Sequence, residues 1–477
     1  MALMPEEVKV LRLSDMALRR GGTPAQRLVQ AVVSVALRLF FRRIETSRAG
    51  AVPETGPLVF VLNHPNGLID PGLVFAALPR RISFLAKSTL FPLPVVGWLL
   101  RTVEALPLYR RADAGQDVSQ NMRTFEACRR LLLNGRGVAL FPEGVSHNEP
   151  KLLPVKTGAA RIALGARVPG LLVVPVGLYY TSKTSFRGEA LLRFGEPLEA
   201  PLVEPDAEGE PPRAAVREFS ARIEAALRAV TLNVETEEEL EAARNAERLF
   251  SSVYEGLNVR LPLAERFDFL RALSSRLFAR LSAAGGVAEL RRRLLRHEAE
   301  LRRIGIAPEN LSLSGHSRWY VLRHFLLRAL VLLALSPLAA VGALLHLPAY
   351  LACALLARLF PRHGVDEIAP TVRILAAMLL MPLTWLVVSA CALWLWGWRA
   401  ALLALPLSIL CGYVALRSLE ELYDMRGWFK AVLLLARRRR LFLRLLIERQ
   451  ALREELRRLG TPDSGGGGVI IAADDEP

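Results

Sequence analysis

Cysteine is scarce, with four residues in 477, and three of them (Cys353, Cys391 and Cys411) sit in apolar runs where a thiol behaves as a small hydrophobe. A disulfide framework and a zinc site are therefore not supported, and no metal is expected. Acidic residues are in the minority, 46 against 62 Lys and Arg, which leaves a net charge of +16 spread over many amphipathic stretches. Such a chain suits an anionic membrane surface or a phosphorylated substrate. No recognition module for nucleic acid accompanies the charge, so nucleic acid is not an expected partner. The opening residues, MALMPEEVKV, include acidic side chains and lack a short apolar core with a cleavage site, so they do not read as a secretory signal and the front of the chain is expected in the cytosol. No uncharged run long enough to cross a bilayer occurs before residue 329.

What is abundant is apolar surface. Hydrophobic residues make up 52% of the chain, mean hydropathy is positive, and the excess is concentrated in residues 329–416. This points to a membrane protein with a soluble part. Residues 24–43 read as an amphipathic helix with Leu28, Val32, Val35 and Leu39 on one stripe and arginines around it, a pattern that fits a helix lying on a bilayer. From residue 57, short apolar runs (PLVFVLN, RISFLA, VEALPL, GVALFP, LLVVPVG, LLRFG) alternate with helical stretches near 71–79, 117–134, 157–167 and 213–231. The fold class expected is α/β, with a largely parallel sheet flanked by helices, followed by a helical connector and a C-terminal transmembrane helical region.

The domains expected are an N-terminal amphipathic segment (1–56), a catalytic domain (57–232), a helical connector (233–328, broken at Gly285-Gly286), transmembrane helices (329–416), a basic helix (417–460) and a disordered tail (461–477). Three uncharged windows occur at 329–357, 374–398 and 400–416; Pro406 interrupts the third, and Pro337 and Pro348 allow the first to split. Trp385, Trp394, Trp396 and Trp398 suit an interfacial belt. Arginines precede the first window, residues 417–458 carry 12 basic against 6 acidic side chains, and the loop 361–373 is balanced. The positive-inside rule then puts both flanks in the cytosol, with two or four spans.

Two constellations carry chemistry. In NHPNGLIDP an apolar strand ends at Asn63, Pro65 to Gly67 are turn formers, and Asp70-Pro71 is expected to open a helix with Asp near the N-cap and Pro at its first position. The imidazole of His64 then lies at a strand end with the Asp70 carboxylate in reach to fix its tautomer. In FPEGVSHNE, Glu143-Gly144 follows another apolar strand and offers a carboxylate and a close backbone approach. Arg110 and Arg111 in LPLYRR and Pro175 in VVPVGLYY are read as two further strand-end features, and strand ends of one sheet converge on one crevice.

The ordered set of His64 with Asp70, LPLYR, FPEG and VPVG resembles the four blocks of the glycerolipid acyltransferase family, over roughly residues 57–200, and looks most like its branch of fungal-type glycerol 3-phosphate and dihydroxyacetone phosphate acyltransferases. Five residues separate His64 from Asp70, one more than the family usually has, and Val145, Ser146 and His147 stand where Thr-Arg-Ser usually follows the Gly; Lys151 or Lys156 are candidates for the missing charge. The resemblance implies acyl transfer from acyl-CoA or acyl-carrier protein, as co-substrate and with no cofactor, to a phosphorylated glycerol acceptor at the bilayer. His64 would act as general base with Asp70 behind it, Arg110 would hold phosphate, Glu143 and Gly144 would bind the glycerol part, and Pro175 would shape the donor side. Ser146 has no G-x-S-x-G elbow, which disfavours a serine hydrolase. The rival reading is a non-catalytic membrane-shaping or lipid-binding protein that retains the fold.

Overall fold

The run Leu58–Leu62 is buried at every position, as expected of a strand covered on both faces, and it becomes the centre of the sheet. In the computed structural model, the described residues exclude 1–7, 18–21, 79, 111–116, 148, 183–186, 285–286, 306–317, 360–368, 461–477 and most of 235–261. Arg111, the Gly285-Gly286 break, most of the 361–373 loop and the tail lie outside them. The chain divides into two compact units, Met1–Leu232 with Leu347–Thr384 and Asn233–His346 with Trp385–Pro477.

Among the described residues, the first unit is built on nine strands: β1 Val8–Val10, β2 Phe41–Ser47, β3 Leu58–Leu62, β4 Ile82–Lys87, β5 Leu106–Leu108, β6 Gly137–Leu140, β7 Leu172–Tyr180, β8 Gly188–Phe194 and β9 Leu198–Glu199. Their order is β1-β2-β8-β7-β3-β6-β4-β5, with β9 on β7. The pairs β7·β3, β3·β6, β6·β4 and β4·β5 are parallel, so five strands deliver their C-terminal ends to one edge. Helices α1 Leu13–Ala17, α2 Pro24–Phe40 and α3 Ile69–Ala77 belong to one side of the sheet; α4 Pro94–Thr102 precedes β5, and α5 Asn121–Leu133, α6 Gly158–Ala166 and α7 Arg213–Val230 cover the other side. The pleat assigns Leu58, Phe60 and Leu62 to the first core and Val59 and Val61 to the second. Each of these side chains contributes about 1.5–3 kcal/mol by leaving water.

The α2 helix starts with a capping box. Thr23 Oγ1 accepts the Gln26 N–H at 3.3 Å, Gln26 Oε1 accepts the Thr23 N–H at 3.1 Å, and Pro24 occupies the first turn. It stops at Phe40, earlier than the apolar period predicts, because Phe41 and Ile44 are fully buried in β2, which pairs in parallel with β8. The N-terminal segment therefore shares the sheet of the catalytic region. Leu28, Val32, Val35 and Leu39 face outward and exposed, while Val29, Leu37 and Phe40 point into the core.

In the second unit, Leu301, Leu434, Phe442 and Leu445 form a small core, edged by the ion pairs Arg293–Glu455 and Arg444–Glu300, both 2.7 Å. Among the described residues, three helical stretches are long and apolar enough to cross a membrane, Phe325–Leu359, Val372–Trp396 and Trp398–Tyr423. The helix Arg318–Leu359 runs unbroken through Pro337 and Pro348, and Trp398–Arg437 runs through Pro406, so none of the three prolines splits a window. In an apolar helix the freed carbonyl is satisfied by local adjustment and neighbours, which makes an interior proline tolerable. Trp394, Trp396 and Trp398 are exposed around Gly397, as a belt requires. Trp385 instead donates its indole N–H to His346 Nε2 at 2.8 Å, which leaves the His346 Nδ1–H to donate to the Gly342 carbonyl at 2.8 Å.

Candidate active site

Beyond β3 the ladder is continued by a side chain. Asn63 Oδ1 accepts the Leu178 N–H at 2.7 Å and its Nδ2 donates to the Leu178 carbonyl at 3.1 Å, which fixes where the chain leaves the sheet. The turn 64–68 follows, and α3 begins at Ile69 with Leu68 as its cap, so Asp70 and Pro71 are the second and third helical residues rather than the cap and the first. The reason is that the Asp70 carboxylate is used inside the turn. Its Oδ2 accepts the Asn66 N–H at 2.7 Å and lies 2.8 Å from His64 Nδ1, and its Oδ1 accepts the Tyr180 hydroxyl at 2.6 Å. Asp70 is fully buried and the His64 side chain is 18% exposed. An ionised carboxylate only accepts, so Nδ1 carries the proton and His64 presents the lone pair of Nε2. The ring is held flat against Phe141, centroids 4.0 Å apart and planes at 16°.

The FPEG segment grips the main chain of His64 at both ends. Glu143 Oε1 accepts the His64 N–H at 2.9 Å, and the His147 N–H donates to the His64 carbonyl at 3.1 Å. Glu143 Oε2 accepts the Leu153 N–H at 2.8 Å and meets His147 Nε2, and Ser146 Oγ accepts the Gly67 N–H at 2.9 Å. Glu143 is buried with both oxygens engaged by protein donors, and it braces the main chain of His64.

Gly144 joins this frame to two cations. It takes a left-handed φ of +75°, and a Cβ there would collide with Lys156 Nζ, so only glycine lets the ammonium come so near the backbone. The Gly144 carbonyl accepts from Arg110 Nη1 at 2.7 Å. Arg110 follows β5, whose end is held by Asn121: its Oδ1 accepts the Tyr109 N–H and its Nδ2 donates to the Tyr109 carbonyl. The Lys156 N–H donates to the Pro142 carbonyl at 2.9 Å.

Comparison with known proteins bears on this arrangement directly. Residues 43–179 match the family model described as Acyltransferase, and residues 246–460 match the one described as Glycerol-3-phosphate acyltransferase 2 C-terminal domain. Residues 43–179 thus carry an acyltransferase domain. An uncharacterized acyltransferase of Schizosaccharomyces pombe is 24% identical over 67% of this chain and 60% of its own. Glycerol-3-phosphate O-acyltransferase 2 of Saccharomyces cerevisiae is 26% identical over 56% of this chain and 38% of its own, and a chloroplastic 1-acyl-sn-glycerol-3-phosphate acyltransferase of Brassica napus is 33% identical over 29% and 38%. The chain thus spans between about two fifths and three fifths of the length of these relatives. The crystal structure of the 1-acyl-sn-glycerophosphate acyltransferase PlsC from Thermotoga maritima is similar at 22% identity over 43% of this chain and 79% of that one, with a TM-score of 0.32.

Within the acyltransferase domain, His64, Asp70, Glu143, Gly144, Arg110 and Lys156 come together at the C-terminal edge of the parallel strands. Pro175 does not. It is the fourth residue of the nine in β7, opposite Val61, because β7 runs on to Tyr180 in an antiparallel pair with β8. Proline is tolerated there because β9 pairs with Leu172 and Val173 and β8 from Val176 onward, so position 175 falls where β7 changes partner. Sequence reasoning missed Tyr180, Asn66 and His147. For Tyr180 a signal existed: Val174, Val176, Leu178 and Tyr180 alternate onto the α3 side, and a hydroxyl ends that row. Burial first, then the charge of Asp70 and the hydrogen bond to it, hold the Tyr180 phenol well above the ordinary tyrosine range, so it stays a donor.

Proposed function

We propose that this chain moves an acyl group from a thioester, carried on coenzyme A or acyl-carrier protein, to a hydroxyl of glycerol 3-phosphate or a related lysophospholipid at a membrane. The observation that carries the reading is one edge of one sheet bearing both a histidine with a proton fixed on Nδ1 and a pair of cations on Gly144. His64 Nε2 takes the acceptor hydroxyl proton as the oxygen attacks the thioester carbonyl. The tetrahedral adduct then breaks its carbon–sulfur bond, and the departing thiolate takes the proton from the imidazolium. Asp70 stabilises that imidazolium, and no acyl-enzyme is formed. Arg110 and Lys156 bind the acceptor phosphate, which Arg meets with two parallel N–H groups and Lys as a point charge. Glu143 serves by holding the His64 main chain, and Gly144 by letting Lys156 approach. The names of the relatives, glycerol-3-phosphate and 1-acylglycerol-3-phosphate acyltransferases, support the acceptor class.

The reading extends to the membrane. The exposed stripe of α2 rests on the bilayer, and the catalytic domain faces the cytosol, where thioester donors are present. The basic segment 417–460 lies on the same face, which requires two of the three candidate spans to cross. Cysteine labelling of residues placed in 361–373 and 461–477, in sealed vesicles, tests the orientation: a tail reached only from the lumenal side overturns it. The chemistry is tested by purified protein given one acyl-CoA and, in parallel, glycerol 3-phosphate, dihydroxyacetone phosphate and lysophosphatidate. Thiol release that depends on one of these acceptors is the expected result, and release equal with all of them and with water refutes the proposal.

A further inference from the structure

We propose that Tyr180 is a positioning residue that sets how much charge Asp70 presents to His64, an inference that rests on the acyl-transfer reading. Asp70 has no access to solvent, so its negative charge is balanced only by protein donors. Two N–H groups, from His64 and Asn66, fall on Oδ2; on Oδ1 the donor is the Tyr180 hydroxyl at 2.6 Å. That hydroxyl cannot swing away. Tyr180 ends β7 opposite Ala190 of β8, and its ring stacks on Phe41 of β2, centroids 5.6 Å apart and planes at 22°. A short hydrogen bond from a neutral phenol draws electron density out of the carboxylate and lowers its proton affinity.

The consequence for the base follows from charge. A carboxylate without this donor holds an imidazolium more tightly, so His64 would stay protonated to higher pH and lose its lone pair where it must work. The Tyr180 hydroxyl keeps Asp70 strong enough to fix the ring and weak enough to leave Nε2 free. The other titratable groups nearby are Glu143, which accepts the His64 N–H, and His147, which is bonded to Glu143; Arg110 and Lys156 meet at Gly144, the residue after Glu143. None of these is moved by a change confined to Oδ1 of Asp70.

The test uses the full chain in lipid vesicles, with two readouts. One is the rate at which diethyl pyrocarbonate modifies His64 as pH is varied, read by mass spectrometry, which gives the His64 midpoint without turnover. The other is the pH profile of kcat/KM with acyl-CoA and glycerol 3-phosphate. Tyr180→Phe is expected to raise both midpoints by about half a unit to one unit, part of the worth of a hydrogen bond to a charged group. Phe41→Leu leaves Tyr180 anchored by its strand pairing with Ala190 while removing the ring contacts to Tyr180 and Phe40, and is expected to lower Tm while leaving the midpoint in place. Should Tyr180→Phe not fold, 3-fluorotyrosine at position 180, a stronger donor, is expected to move the midpoint the other way. An unmoved His64 midpoint in a folded Tyr180→Phe or fluorotyrosine protein overturns the inference, as does an equal shift in Phe41→Leu. A shift in modification with no acyl transfer by the parent chain upholds the positioning role and refutes the reaction instead.

Discussion

Asp70→Asn changes one atom of the dyad, and the surrounding hydrogen bonds decide which one. The Asn66 N–H can only donate, so the amide introduced at position 70 must keep its oxygen where Oδ2 now lies, facing Asn66 and His64 Nδ1. Its NH₂ then faces Tyr180, whose hydroxyl, unlike a backbone N–H, can turn round and accept. The His64 tautomer is therefore retained and only the charge is lost. At a separation of about 4 Å and an effective dielectric of about 20, that charge stabilises the imidazolium by about 4 kcal/mol. The neutral hydrogen bond that remains returns about 1 kcal/mol. The net rise of about 3 kcal/mol in the barrier corresponds to about a 10²-fold loss of kcat. The assay is steady-state thiol release from acyl-CoA with acceptor saturating, alongside a melting curve to show that the fold is kept. A loss below about threefold would show that Asp70 does not stabilise a cationic His64, and a loss accompanied by a raised KM alone would place it in binding.

Three further outcomes follow from the same geometry. Arg110→Ala should raise KM for the phosphorylated acceptor by about 10- to 10²-fold, the worth of a charge-assisted hydrogen bond, with little effect on KM for the acyl donor; equal effects on both substrates would remove Arg110 from the acceptor site. Gly144→Ala should lower stability by about 1–2 kcal/mol, because φ there is +75°, and should displace Lys156; an unchanged Tm in thermal melts would contradict this. Burial pushes the Cys128 thiol up to about 12, so at pH 7 to 8 the fraction present as reactive thiolate is about 10⁻⁴ or less, and labelling by a maleimide should appear only in denaturant or as pH is raised toward 12; rapid labelling of native protein at pH 7 would show the core open.

The parts legible in the sequence were those written locally. LVFVLN and GVALFP announce buried strands, the turn formers between Asn63 and Asp70 announce the loop, and the α/β alternation announces the edge where His64, Glu143 and Arg110 gather. What stayed hidden depends on partners far along the chain. Phe41–Ser47 continues the helical period of α2, and only its pairing with β8, about 147 residues later, makes it a strand. Tyr180 reaches Asp70 across a sequence separation of 110 residues, and nothing local in FPEG announces that the Glu143 carboxylate accepts the His64 N–H and the Leu153 N–H. Pro175 was misplaced because a proline punctuates a strand in sequence, whereas the exchange of partners from β9 to β8 lets β7 pass through it.

The central claim is that His64 Nε2 takes the proton of an acceptor hydroxyl as the acyl group leaves its thioester. Its most direct test is acceptor-dependent thiol release by purified chain, compared with His64→Ala at equal Tm and equal membrane content. A positioned base contributes about 10²- to 10⁴-fold, so the account predicts a fall of at least about 10²-fold in kcat for His64→Ala with KM for acyl-CoA within a few fold. Turnover by His64→Ala at near the parent rate, with the fold intact, would contradict it.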